Sequence, residues 1–239
     1  MNYLQLSQRL AQECGVSGTL TTTAGQVGSL LRIVTWINQA WYELQTRHDD
    51  WEWMKSSVLL GGGNGVSFAT IAGQSSYALG SGAGTVGVTL ANFGKWDKNS
   101  FRNYTTASGF TNEIFMDPIS YEDWRNAYMY GAMRTVQTRP VAIAIGPDTS
   151  LCVGPPSDGT YTITGDYWRA ATQFAADGDL PTGLPAQFHM AIVYLAMQMY
   201  AGYESAPEVF QRGDAGYNKL IAQLEVNYAP TIGFAGSLC

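Results

Sequence analysis

Two histidines, three cysteines and three short carboxylate groups are the side chains of this 239-residue chain with the clearest chemical potential. A hydrolytic triad needs an imidazole beside a Ser or Cys nucleophile and a carboxylate behind it. His48-Asp49-Asp50 places imidazole and carboxylates together, but no nucleophile elbow stands near it. His48 and His189 each fall at the end or start of an apolar helical pattern, where a packed or capping imidazole is expected. Cys14, Cys152 and Cys239 are widely spaced and contain no C-x-x-C pair, which reads as reduced thiols and neither a disulfide framework nor a zinc site. Asp49-Asp50-Trp51-Glu52, Glu122-Asp123 and Asp177-Gly178-Asp179 contain no calcium-loop pattern. Glu122 and Asp123 fit the first turn of a helix, where the dipole favours carboxylates. Gly82-Ala-Gly84-Thr-Val-Gly87 matches G-x-G-x-x-G by letter, yet dinucleotide binding requires a helix to start inside it, and Val86–Leu90 reads as a strand. Gly61–Gly65 lacks the Lys-Ser/Thr of a P-loop, and both glycine stretches are expected to be loops. Asn103-Tyr104-Thr105 is a glycosylation sequon that has meaning only in a secreted chain. No catalytic residue, cofactor or metal is expected.

Composition explains the shortage of chemistry. Charged residues make up 13% of the chain, about half the usual share, while Tyr, Phe and Trp reach 13% and glycine numbers 27. The surface must therefore be glycine, hydroxyl, amide and aromatic, which suits a subunit that covers itself with copies or partners. Disorder is excluded by the apolar content, and a surface dense in ion pairs by the charge content. A net charge of −6 with no basic run argues against gripping phosphates. Residues 1–14 lack a signal-peptide pattern and no run of about 18 apolar residues occurs, so synthesis and use in a cytosol without membrane contact are expected.

Both ends of the chain repeat apolar residues at helical spacing. Tyr3, Leu6, Leu10 and Cys14 form one stripe, closed by Gly15. Thr23 to Gln26 reads as a capping box before a stripe of Val27, Leu30, Leu31, Val34, Ile37, Trp41, Leu44 and His48. A helix over 186–203 carries Phe188, Ile192, Leu195, Ala196, Met199 and Tyr203 on one face and Met190, Val193, Tyr194 and Met197 on another, so it must be covered on both sides. Ser205 to Glu208 reads as another capping box, with Pro207 in the first turn, before Phe210, Tyr217, Ile221, Leu224 and Tyr228. Between Met54 and about 180 the period falls to two. Strands are expected at 57–60, 66–71, 76–79, 86–90, 113–116, 140–145, 151–153 and 161–164, the last three as an antiparallel meander. A short helix capped by Ser120 and closed by Gly131 interrupts them. Trp36, Trp41, Trp51 and Trp53 are expected to pack in the core and at the junction. The expectation is an α+β fold: a helical bundle from both termini (1–53 and 180–228), an inserted antiparallel β domain (54–179) and a docking tail (229–239).

Two segments carry a family resemblance. Trp36-Ile-Asn-Gln-Ala-Trp41-Tyr-Glu-Leu-Gln-Thr-Arg-His-Asp-Asp-Trp51-Glu-Trp53 and Leu180-Pro-Thr-Gly-Leu-Pro-Ala-Gln-Phe-His-Met-Ala-Ile-Val-Tyr194, in this order of elements, resemble the head-to-tail adaptor (connector or gatekeeper) proteins of tailed bacteriophages. That resemblance implies a non-enzymatic virion protein: a dodecameric ring under the portal protein that extends the DNA channel and offers an attachment surface for a tail nozzle or tail tube protein. Viral DNA would pass through the lumen without sequence-specific binding, which the acidic balance suits. Met190, Tyr194 and Met197 are the expected subunit interface. Tyr228, Ile232, Phe234 and Leu238 are expected to face the portal, and the loops at Asn64, Gly82 and Gly84 the tail. A carbohydrate- or receptor-binding β module of a phage tail is the alternative.

Overall fold

A computed structural model describes residues 1–57, 65–80, 85–86, 90 and 92–229. Asn64, Gly82, Gly84, Ile232, Phe234 and Leu238, and the expected strand over 57–60 beyond its first residue, lie outside the described residues. The chain divides into two compact units, Met1–Met54 with the chain from Ala171 onward, and Lys55–Ala170. Chain order runs α1 (Tyr3–Glu13), α2 (Gly28–Thr46), β1 (Lys55–Ser56), β2 (Val66–Ala69), β3 (Ser76–Leu79), β4 (Thr85–Val86), β5 (Phe93–Trp96), β6 (Arg102–Thr105), β7 (Ile114–Phe115) and β8 (Asp117–Pro118). It continues with α3 (Tyr121–Tyr128), β9 (Ala142–Ile145), β10 (Leu151–Gly154), β11 (Tyr161–Gly165), β12 (Tyr167–Arg169), α4 (His189–Glu204) and α5 (Pro207–Tyr228). The architecture is α+β.

In the first unit α4 packs against α1, α2 and α5. One side buries Ile192 and Ala196; the other carries Val193 and Met197, and all four are inaccessible to solvent. Gly213 and Gly216 let α5 come close: a Cβ at Gly213 would stand 3.0 Å from the Tyr194 carbonyl and 3.1 Å from the Met197 Cβ, and one at Gly216 2.8 Å from the Tyr194 ring. Glycine weakens a helix by about 1 kcal/mol, and here the close approach of two backbones requires it. A column of rings forms the centre of the unit. Trp41 stacks between Trp53 (5.7 Å between centroids) and Phe174 (5.5 Å), and Tyr3 stacks on Phe174 at 4.9 Å.

The stretch entering this unit at Ala171 is held by two side-chain amides of α2. Asn38 pairs with both backbone groups of Phe174 (2.8 and 3.1 Å), and Gln45, seven residues on, does the same for Thr172 (3.0 and 2.8 Å). Asp177 accepts from the Thr23 amide (2.6 Å) and hydroxyl (2.5 Å). The carbonyls of Asp179 and Asp177 accept the free amides of Tyr3 and Leu4. Residues 171–179 thus belong with the helices, whereas period-two patterning assigns them to the β region.

Several local expectations are corrected. The Thr23 hydroxyl serves Asp177 and α2 starts later, with Val27 as N-cap and no side-chain cap. Ser205 closes α4 in the left-handed conformation, leaving Ala206 as the N-cap of α5, with Pro207 in its first turn. The capping box that forms is at Asn2 and Gln5. Val27 is 80% exposed and Leu31 is also exposed, while Ile33 is buried, because the buried face of α2 is set by α1 and α4 and not by the first apolar residue.

The second unit layers two sheets over one core. Strand order is β4-β3-β10-β9-β8 in one and β2-β11-β6-β7 in the other, with a third small sheet β1-β12-β5. Val66, Phe68 and Ile163 from one sheet meet Tyr77, Ile143, Leu151 and Val153 from the other. The expected meander holds only for β9 and β10: β11 leaves them to pair with β2 and β6. The unit is also not purely antiparallel, since β3·β4 and β8·β9 run parallel. On the outer face of the five-stranded sheet α3 packs Trp124 against Ala144 and Cys152, residues that alternate with the inward Ile143, Leu151 and Val153. Ser120 caps α3 by accepting from the Asp123 amide at 3.0 Å.

Candidate assembly surfaces

The two histidines and the two described cysteines, Cys14 and Cys152, are dispersed through the fold. His189 is buried; its Nδ1 accepts from the Met1 amine at 2.7 Å, so Nε2 carries the proton and donates to the Leu184 carbonyl at 3.1 Å. Burial holds the His189 pKa below its ordinary value. The unfolded chain therefore binds the proton more tightly, and His189 destabilises the fold as pH falls below about 6.5. Burial pushes the Cys14 thiol up to about 12 and raises that of Cys152, so neither offers a thiolate nucleophile near neutrality. Among the described residues no group of three or more His, Cys, Asp and Glu is arranged to hold a metal ion. Thr85 and Val86 pair as a strand with β3 and do not open a helix, as a dinucleotide site would need. Asn103 is fully buried, its amide donating to the Pro140 carbonyl at 2.7 Å.

His48 closes a small polar cluster instead. Glu225 Oε1 takes Arg47 Nε at 2.9 Å and His48 Nε2 at 3.2 Å, while Trp51 meets the imidazole edge-on at 4.7 Å. Burial opposes ionisation of Glu225, but hydrogen bonds and charge from His48 and Arg47 outweigh it and lower its pKa. Its stabilisation is present above the unfolded carboxylate value of about 4.3 and is lost as pH falls through the lower folded value. Arg47 is 44% and Glu225 34% exposed, so Glu225→Gln is expected to lose no more than ~1 kcal/mol at pH 7 and less at pH 3, where the carboxylate is moving toward its protonated form. Urea unfolding at the two pH values measures this, and an equal loss at both would show that charge is not the cause.

The expected interface residues have different fates. Met197 is inaccessible and lies beneath α5, so it is a core residue and cannot face a neighbouring subunit, a correction that follows from α5 covering that side of α4. Tyr194 is half-buried with its ring over Gly216, and Met190 is half-buried. Tyr228 is half-buried at the end of α5, edge-on to Phe188 at 5.9 Å.

What the surface does concentrate is apolar. On the helical unit Val27, Leu31, Tyr203 and Phe210 are exposed. Trp36 lies 5.8 Å from both Tyr200 and Tyr203, and Arg32 sits 4.2 Å over the Tyr203 ring. An open groove of about 420 Å³ at the turn between α4 and α5 is lined by Ala201, Gly202, Ala206, Pro207 and Phe210. On the β unit Phe110, Phe115, Tyr130 and Met133 are exposed. Helical periodicity assigns Tyr203 and Phe210 to buried stripes; the low charge of the whole chain is the one sequence signal that points to such surfaces. Large exposed apolar side chains rimmed by polar ones mark a protein that acts by being bound.

That is the behaviour of a structural assembly subunit, and the comparison with known families agrees. The chain matches the SU10 adaptor protein family over residues 1–231 and belongs to it. This is a family of phage head-to-tail adaptors, so the protein is a structural component of the virion that interacts there with portal and tail components. No curated protein matches the chain. Among the described residues no helix is long and apolar enough to cross a membrane.

Proposed function

We propose that the protein is the subunit of a dodecameric adaptor ring that docks on the portal, extends the DNA channel and provides the attachment surface for the tail. Family membership over residues 1–231 carries this reading. The exposed apolar side chains on both units support it, because a monomer of this composition leaves them in water. In this reading the helices of both termini act as one bundle facing the portal. Tyr228 and the segment beyond it, with Ile232, Phe234 and Leu238, seat on the portal, and Met190 and Tyr194 face a neighbouring copy. The loops holding Asn64, Gly82 and Gly84 face a tail nozzle or tail tube protein. The lumen is acidic or neutral, so DNA slides through it.

The test is electron microscopy of the purified protein with and without portal. Rings of one size that cap the portal are expected. A chain truncated after Tyr228 should bind portal at least about tenfold more weakly, since burying three large apolar side chains contributes on the order of 1.5–3 kcal/mol each before ordering costs. Unchanged affinity would remove the tail from the portal interface, and a protein that stays monomeric with portal present would remove the ring.

A further inference from the structure

The two outer faces of the β unit carry complementary patches. On the four-stranded sheet, Arg102 and Thr164 sit opposite one another on β6 and β11 and alternate with the inward Ile163. Beside them is a cavity of about 80 Å³ lined by Ser100, Arg102, Phe110, Glu113, Thr164 and Asp166. Arg102 lies 3.5 Å from Glu113 and 4.5 Å over the Phe115 ring. Asp166 lies 3.7 Å from Lys55, which Asp97 already holds at 2.5 Å. Glu113, Asp97 and Asp166 thus each have a cation within 4 Å, Lys95 like Lys55 lies over the Trp168 ring, at 5.0 Å, and Phe110 (66% exposed) and Phe115 (67%) form an apolar rim.

The opposite face carries α3, followed by a short 3-10 turn at Gly131–Thr135. Tyr130 (77% exposed), Met133 and Val136 project here around an exposed Arg134. Arg134 Nε donates to the Met129 carbonyl at 2.6 Å, and among the described residues no carboxylate pairs with its guanidinium. An arginine in an apolar collar is the usual anatomy of an interface anchor. The two patches lie on opposite sides of two stacked sheets, so they cannot meet within one chain.

We propose that residues 130–136 of one subunit dock on the Phe110, Glu113 and Asp166 patch of the next, front to back, with the Arg134 guanidinium, which no carboxylate of its own chain pairs among the described residues, meeting Glu113 and Asp166. This rests on the ring reading above. A contact between two different patches of the same chain is heterologous, and closes into a ring when the rotation between copies permits.

Charge reversal in the full chain tests it, with assembly followed by mass photometry alone and with portal. Arg134→Glu is expected to raise the concentration needed for assembly about tenfold or more while thermal melting stays that of the wild type. Glu113→Lys should do the same, and the double variant should return to within about threefold of wild type, because the two reversed charges meet again across the contact. Phe110→Ala, at an exposed ring, keeps the test valid should Glu113→Lys disturb Arg102 and fail to fold; it too must weaken assembly. Wild-type assembly by Arg134→Glu or Phe110→Ala, or failure of a folded double variant to recover, overturns this contact and leaves the ring intact. A wild-type chain that is monomeric with and without portal overturns the ring reading and this contact together.

Discussion

Trp41→Ala should lower the stability of the helical unit by about 3–5 kcal/mol, the usual loss when a buried tryptophan is truncated. Trp41 is 1% exposed and its ring touches a partner on each side, Trp53 and Phe174, which come from the two separate stretches of chain that make up the unit. Removing it leaves a void that neither neighbour can fill, because Phe174 is fixed by Asn38 and by the Tyr3 ring. A domain has only about 5–15 kcal/mol to lose, so the transition of this unit should fall by roughly 10–15 °C. Trp36→Ala provides the comparison: Trp36 is half-buried on the outside of α2, and its loss should be about 1 kcal/mol. Circular dichroism melts of the two variants decide the matter. Similar shifts in both would mean that the ring column is not the core of this unit.

Met197→Asp should be at least as damaging, about 4 kcal/mol or more. The side chain is inaccessible between α4 and α5, so the change removes packing and also places a carboxylate where no donor waits for it. Met190→Asp, at a half-buried position one face away, should lose no more than about 1.5 kcal/mol and leave a folded protein. The pair separates folding from assembly. Met197→Asp is expected to fail before assembly can be measured, while Met190→Asp is expected to fold and to assemble less readily. A Met197→Asp protein that melts like wild type would contradict the burial of that face by α5.

These two methionines show where periodicity stops being informative. The sequence by itself determines that the helix over 186–203 is apolar on two sides, because spacing of 3.6 residues fixes which side chains share a face. Whether the second face meets the same chain or another copy depends on the path of α5, and α5 comes close only because Gly213 and Gly216 lie against Tyr194 and Met197. The helical glycines look neutral or unfavourable in one dimension. Val27 and Leu31 show the reverse case, apolar residues in phase with a stripe that tertiary packing leaves in water.

Local chemistry was legible at several places where the partner lies within a few residues, though the capping box at Asn2 and Gln5 was missed. The Ser120 cap, Pro207 in the first turn of α5 and the hairpin of β9 and β10 all depend on neighbours in sequence, and family membership was readable from the segments at 36–53 and 180–194. Long-range pairing was not. Nothing near Asn38 or Gln45 announces that their amides will hold Thr172 and Phe174, more than 120 residues away. Thr23 had a plausible cap in Gln26, yet its hydroxyl went to Asp177, 154 residues on. Strand β11 leaves the expected meander for β2 and β6 for the same reason: strand pairing is chosen by which faces can be buried together. Composition thus determined a surface poor in charge and rich in aromatic and glycine residues, and only the tertiary structure decided which apolar residues the helices and sheets bury and which they leave exposed.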